Sequence, residues 1–232
     1  MPGTRIGGNM KKAISIILII VGLLLIASPY ISKLVIKQKI KNANPSDITA
    51  EMMEQNNKNE AEFDYSSVKD IDISATLLSP SKIDKNLIVG QLVVPSINLN
   101  LSIVKGVNNT NLMAGVATMR PDQKLGEGNY PLAGHFMKQK DMLFGGLMEI
   151  KNGDIIRATD KKDIYIYRVY ETVAVPDDAV HMIENKKSEE KGKPVISLMT
   201  CYYSSKTGKR YFVMGELENK IPYDEKLMNS KQ

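Results

Sequence analysis

The chain has no tryptophan, one cysteine and two histidines among its 232 residues. One cysteine, Cys201, cannot close an intramolecular disulfide. With only His135 and His181 beside it there is no CxxC pair and no HExxH, so a structural zinc site is not expected. Aromatics are 6% of the chain and the net charge is only +5. Part of that excess is lysines flanking one hydrophobic segment. Nucleic-acid readers concentrate basic residues around aromatic or groove-reading motifs, and no such motif is present. There is no internal repeat and no low-complexity tract. The remaining composition, 43% hydrophobic and 25% charged, suits one globular domain with extra segments.

The first extra segment is "KKAISIILIIVGLLLIASPYISK", Lys11 to Lys33. Ala13 to Ile31 carries no charge and only two serines, so it lacks the polar stripe of a buried core helix. A helix needs about 20 apolar residues to cross hydrocarbon, and this run meets that. A cleaved signal peptide would end in a small-x-small site. Leu25 stands two positions before Ala27, so an uncleaved anchor is expected over residues 13–31. Residues 1–12 form a short flank, with Met10 as an alternative start to Met1. Arg5, Lys11 and Lys12 precede the helix, and Lys33, Lys37, Lys39 and Lys41 follow it. The positive-inside count therefore leaves the orientation open.

Residues 32–70 read as a polar stalk. Ile31, Leu34, Val35 and Ile40 among lysines fit either an interfacial amphipathic helix or a helix continuing out of the membrane. A capped helix is expected to begin at Ser46 or Asp47, within a spacer that holds a domain off the bilayer.

Residues 71–220 read as mostly strands, with 221–232 a polar tail. "LIVGQLVV", "LNLSIVKG", "DIIRATD" and "DIYIYRVYETVAV" alternate or are rich in β-branched and aromatic residues. A hairpin turn is expected at Asp160 to Lys162. Short helical pieces are expected around Thr110 to Met113, Met142 to Glu149 and Asp177 to Asn185. Many short strands with no βαβ spacing predict an all-β barrel or sandwich.

The last two strands, "PVISLMTC" and "RYFVMGEL", predict a hairpin with Cys201 ending one and Arg210 opening the next. Antiparallel pairing brings a guanidinium to a thiol. A cation there favours thiolate and can hold an oxyanion. The plainer readings are a packed, inert cysteine and a surface arginine. Eight residues separate the two, a longer loop than a cysteine phosphatase uses to cradle phosphate. Acyl transfer by a thiol also needs a proton carrier. His135, in "NYPLAGHFM", follows a short apolar strand. His181, in "PDDAVHMIENKK", is expected to face solvent, so His135 is the candidate.

The "LAGH" at His135, the "TC" at Thr200 and Cys201, and Arg210 opening the next strand together resemble the sortase family. Their order, with 66 positions from His135 to Cys201, also fits. Anchor, stalk and C-terminal all-β domain are similar to class A, the housekeeping sortases of Gram-positive bacteria. The resemblance covers about Leu87 to Leu217. It implies a closed eight-stranded β-barrel with short helices behind one transmembrane helix, and a cysteine transpeptidase. Such an enzyme cleaves an LPXTG-type sorting signal between Thr and Gly and joins the surface protein to the amine of lipid II.

On this resemblance Cys201 is the nucleophile, His135 the acid and base, and Arg210 the substrate or oxyanion partner. In the same substrate-binding set Thr200 would add to the oxyanion site, and the segments near Ala117, Ala133 and Val175, with the loop between Cys201 and Arg210, would border the substrate groove. The N-terminus would be cytoplasmic and the catalytic domain extracellular, held by membrane lipid around the helix. Some class A members bind calcium through carboxylates near the early strands. Here no Asp or Glu occurs from Asn86 to Pro121, and calcium favours several carboxylate oxygens, so no cofactor is expected and activity should not need calcium. Two other readings compete: a non-catalytic anchored β-domain that binds surface ligands, and a hydrolytic cysteine protease.

Overall fold

The structure, a computed structural model, describes residues 6–71, 76 and 83–229. Eight strands form the barrel: β1 (Ile88–Val94), β2 (Leu99–Val104), β3 (Val116–Thr118), β4 (Asn129–Ala133), β5 (Ile155–Thr159), β6 (Asp163–Pro176), β7 (Val195–Cys201) and β8 (Lys209–Pro222). They pair in the order β1-β2-β3-β4-β7-β8-β6-β5, and β5 returns to β1, which closes the barrel. Closure gives every strand a neighbour on both sides along at least part of its length, which reduces the edge open to another chain.

β1 and β7 are buried along their whole length, which fits their continuous apolar runs. β6 and β8 are each 14 residues long. Register shifts at Ile166/Tyr167 and Val169/Glu171 insert bulges that bend this long pair around the barrel. Inside lie Leu92, Ile103, Leu132, Phe144, Tyr167 and Val213, all fully buried.

The β5–β6 turn falls at residues 160–162 as expected, with Asp160 Oδ1 accepting from the backbone N–H of Lys162 and Asp163. Two pairings are parallel, β2 with β3 and β4 with β7, although the sequence has no regular βαβ rhythm. The first is short and needs only a tight crossover through the six-residue helix Asn109–Ala114. The second is joined through the whole β5–β6 hairpin. Of the expected helical pieces only this first one is an α-helix. The other two contain single 3-10 turns, Leu147–Glu149 and Val180–Met182. Gly145 packs against the Gln139 carbonyl, and such close backbone contacts hold that segment in turns.

α1 (Ile6–Asn42) is one helix of 37 residues, with Pro29 inside it. Its apolar part has a mean hydropathy of 2.7 and is not covered by the rest of the chain, so it is long and apolar enough to cross a membrane. Beyond that part it neither stops nor floats. Ile36 is buried against the hydrophobic cluster of the domain with Ile40 packed beside it, and Ser102 Oγ donates to the Ala43 carbonyl at 2.5 Å. Of the two readings of Ser32 to Ile40, the continuing helix is the one observed.

The stretch expected as a spacer, 32–70, lies along the barrel instead. α2 (Ala50–Asn56) is capped by Thr49, not by Ser46 or Asp47. Ile48 and Met53 form a small cluster with Ile88. Asn56 Nδ2 donates to the carbonyls of Lys85 and Ile88, and Lys105 Nζ to that of Asn57. A few apolar side chains and long polar ones suffice to dock a segment that reads as solvated.

Candidate active site

The end of β7 and the start of β8 form one corner of the barrel. Their register puts Cys201 opposite Arg210, with Thr200 opposite Tyr211 and Met199 opposite Phe212. β4 runs parallel beside β7 and pairs Ala133 with Met199. Beyond that pair the Gly134 N–H donates to the Met199 carbonyl at 2.9 Å. Thr200 Oγ1 donates back to the Gly134 carbonyl at 2.8 Å, fully buried. These two bonds fix the backbone just before His135 to the backbone just before Cys201. Gly134 is required there because a Cβ would stand 2.5 Å from the Phe144 ring.

His135 is 2% exposed, and its Nε2 has no hydrogen-bond partner among the described residues. A hydrogen bond to the Lys69 backbone serves the ring. Burial pulls the imidazole down to about 4, and that bond and the Asp70 carboxylate only partly oppose it. Cys201 is also 2% exposed. Burial pushes its thiol up, the Arg210 cation pulls it down, and Asp70 and Asp177 push it up again. Both groups are therefore neutral at pH 7 in this conformation.

Arg210 Nη2 donates to the Val68 carbonyl at 3.2 Å, and the same nitrogen lies 3.8 Å from Asp177 Oδ2. Cys201 Sγ is 3.7 Å from that same Val68 oxygen. Thiol and guanidinium thus converge on one peptide carbonyl. It belongs to a strap, Tyr65–Asp70, that crosses the corner. The Val68 side chain sits among Ala117, Ala133, Met199, Cys201 and Phe212. Beside it an apolar cleft of about 340 Å³ is lined by Met119, Ala179, Val180, Ile183, Met199 and Phe212, with Arg210 at its wall.

The structure brings His135, Cys201 and Arg210 to the same corner. Ala117 and Ala133, paired with each other, lie in the floor beneath the strap. Val175 pairs with Arg210 and is half-buried at the rim. Thr200 points the other way, into the barrel, and bolts β7 to the segment after β4. His181 is exposed, on the turn Val180–Met182 whose neighbours Ala179, Val180 and Ile183 line the cleft.

Several contributors were not foreseen. The strap reads as part of the spacer, since only Val68 interrupts its polarity. Asp177 carries no motif. Asn129 and Ser197 are buried between β4 and β7, with Ser197 Oγ donating to Asn129 Oδ1 at 2.7 Å, and the Asn129 N–H donates to Oδ1 of the exposed Asn185. Single polar residues inside otherwise apolar strands, Asn129 in β4 and Ser197 in β7, were the available signal. Phe136, Tyr202 and Tyr203 form an aromatic group on the loop side, with Tyr203 at φ 60.

A closed barrel that presents a buried thiol beside a guanidinium and an imidazole with its Nε2 free among the described residues fits an enzyme built for covalent acyl transfer on cysteine. Comparison with known proteins gives the family. Residues 92–218 match the sortase domain model. The chain is 40% identical to Sortase A of Listeria monocytogenes over 95% of its own length and 97% of that protein's. It is 32% identical to Sortase A of Bacillus anthracis, over 90% and 95% of the two chains. The crystal structure of the Listeria monocytogenes sortase A superposes with a TM-score of 0.56 at 41% identity, covering 62% of this chain and 95% of that one. The chain belongs to the sortase family, in class A, and is a cysteine transpeptidase.

Proposed function

We propose that this transpeptidase cleaves LPXTG-type sorting signals between Thr and Gly and transfers the surface protein to the amine of lipid II. The observation that carries the reading is the convergence of Cys201 Sγ and Arg210 Nη2 on a single peptide carbonyl oxygen. A substrate carbonyl at that point meets a nucleophile and an oxyanion donor together.

In this reading His135 accepts the thiol proton, and Cys201 sulfur attacks the Thr carbonyl carbon. Arg210 holds the oxygen as it becomes anionic. Collapse breaks the Thr–Gly bond, the Gly nitrogen takes the proton from His135, and a thioester remains on Cys201. The acceptor amine then attacks the thioester, giving its proton to His135, and the thiolate leaves. Ala117, Ala133 and Val175 border the bound signal, and Thr200 holds His135 and Cys201 in register from behind. The apolar helix over residues 13–31 anchors the protein, with the N-terminus cytoplasmic and the barrel outside. Catalysis needs no calcium, since no carboxylate lies between Asn86 and Pro121.

The test is mass spectrometry of the full chain in detergent with an LPXTG peptide, with and without an oligoglycine amine. A joined product that appears only with amine, and not from Cys201→Ala, is expected. Hydrolysis at the same rate with and without amine would make the enzyme a protease. A several-fold gain on adding calcium would refute the calcium-free reading.

A further inference from the structure

α1 leaves the apolar run with no slack. As helix, Ala13 to Ile31 is about 28 Å long, close to the ~30 Å of a hydrocarbon core. Lys11, Lys12 and Lys33 close its two ends and fix its depth. The same helix then runs unbroken to Asn42. Each residue past Ile31 therefore stands only about 1.5 Å higher above the hydrocarbon edge. The headgroup layer above that edge is roughly 5–7 Å thick.

The globular part meets the helix at that level. Ser32, the first residue past the run, is 6% exposed, and its Oγ has no hydrogen-bond partner among the described residues. Ile36, one turn on and about 7 Å above the edge, is packed into the main hydrophobic cluster. Lys37 Nζ lies 3.8 Å from Asp141 Oδ2. Asp141 belongs to the loop that leaves His135 and returns with the Phe144 N–H to the His135 carbonyl. This pair holds the loop about 9 Å above the hydrocarbon.

Other side chains on the same turns are bare. Tyr30 and Leu34, four residues apart, are 68% and 67% exposed. Lys33 Nζ stands 5.7 Å from the Tyr30 ring centre. Lys33, Lys37 and Lys41 recur every four residues and so share one stripe. Lys138 and Lys140 add two exposed cations from the loop. Against these five stand Asp141 and Glu149, the partners of Lys37 and Lys140. An exposed tyrosine and leucine among lysines at the end of an apolar span is a pattern suited to phospholipid headgroups.

We propose that the globular domain rests on the bilayer, with residues 30–41 and 138–141 set among anionic phospholipid headgroups. The proposal rests on the anchor reading of residues 13–31 and holds for either orientation of the chain. The unbroken helix sets the height of the domain. The lysines select the lipid, because each favours an anionic headgroup near the surface. The loop at the surface begins at His135, so the catalytic corner lies one loop away from the headgroups.

The chain has no tryptophan, so a single introduced one reports its own surroundings. Full-length variants go into vesicles of equal phosphatidylcholine and phosphatidylglycerol, with one lipid or the other carrying a nitroxide near the top of its acyl chains. Ile26→Trp, at a position 71% exposed within the run, reports the anchor. Asp141→Trp reports the contact and gives up only an exposed ion pair. Lys162→Trp reports the far side. Its neighbour Lys161 donates through Nζ to the carbonyls of Pro45, Ser46 and Ile48, past the end of α1 and roughly 16 Å or more above the edge. Asp141→Trp should be quenched about threefold more than Lys162→Trp. Labelled phosphatidylglycerol should quench it about twofold more than labelled phosphatidylcholine, and about 0.5 M salt should bring the two labels level. Equal quenching of Asp141→Trp and Lys162→Trp, with Ile26→Trp quenched, would overturn the proposal and leave the anchor standing. An unquenched Ile26→Trp would overturn both. Equal quenching of Asp141→Trp by the two labels at low salt would overturn the assignment to anionic headgroups. If Asp141→Trp fails to fold, Lys138→Trp, exposed on the same loop, decides in its place.

Discussion

Replacing Arg210 by Ala removes the donor that the corner offers to a developing oxyanion. The side chain is only 16% exposed, and its nearest carboxylate, on Asp177, is 3.8 Å away and half-exposed. The guanidinium is therefore desolvated without being tightly neutralised. At the 3.2 Å separation seen for the Val68 carbonyl, a full negative charge on that oxygen would be attracted by about 5 kcal/mol at an effective dielectric of 20. A neutral carbonyl gains far less, so most of this acts on the transition state. Removing one oxyanion donor costs about 3–4 kcal/mol in comparable sites, or roughly 100- to 1,000-fold in kcat. The same change raises the Cys201 thiol further, since Arg210 is the one cation pulling it down. Arg210→Lys separates the two effects. It should keep the alkylation pH profile of Cys201 near that of the parent, yet recover only part of kcat, because an ammonium lacks the planar fork. Steady-state transfer to an amine and the pH dependence of alkylation measure the two independently. If Arg210→Ala keeps kcat/KM within threefold of the parent, Arg210 does not hold the oxyanion.

Burial makes His135 titrate near 4 when folded, against about 6.5 when unfolded. The unfolded chain therefore binds the proton first as pH falls. This group contributes full stability above about 6.5, and the contribution is lost through the window down to about 4, a loss of about 3 kcal/mol. The unfolding free energy from urea titration should fall by that much more between pH 7 and pH 4 for the parent than for His135→Asn, and equal losses would contradict a buried neutral imidazole. Gly134→Ala forces a methyl toward the buried Phe144 ring, where overpacking costs about 1–3 kcal/mol. It should also lower transfer activity, since Gly134 carries the bonds that tie His135 to β7. An unchanged urea midpoint would show that Phe144 can yield.

Much of the barrel was legible because its strands obey simple rules. β7 is a continuous apolar run, β2 alternates, and the β5–β6 turn carries Asp160 in position to cap it. The Cys201–Arg210 pair followed from hairpin counting alone, since strands that end and begin at a common loop must meet there. The parallel pairings were hidden, because β3 has only three residues and β4 reaches its partner β7 across a whole hairpin. Thr200 was placed by the resemblance and not by its face of the strand. Its neighbour Cys201 faces the corner, and strand alternation turns Thr200 inward. The strap was hidden for a different reason. Its contacts to Arg210, Cys201 and His135 run through the backbone of Val68 and Lys69, and a backbone carbonyl leaves no mark on residue identity.

The strap also bears on how the thiol is activated. In the covered corner the thiol is raised and the imidazole lowered by the same cause, exclusion of water. Moving a proton from Cys201 to His135 would create two buried charges, and each shift opposes it. Lifting the strap returns water to both groups, which lowers the thiol and raises the imidazole toward their ordinary values. Arg210, without the Val68 carbonyl, would then be shared between the thiolate and Asp177 at 3.8 Å. The ion pair that attack requires is thus costly while the strap is seated and cheaper once it leaves.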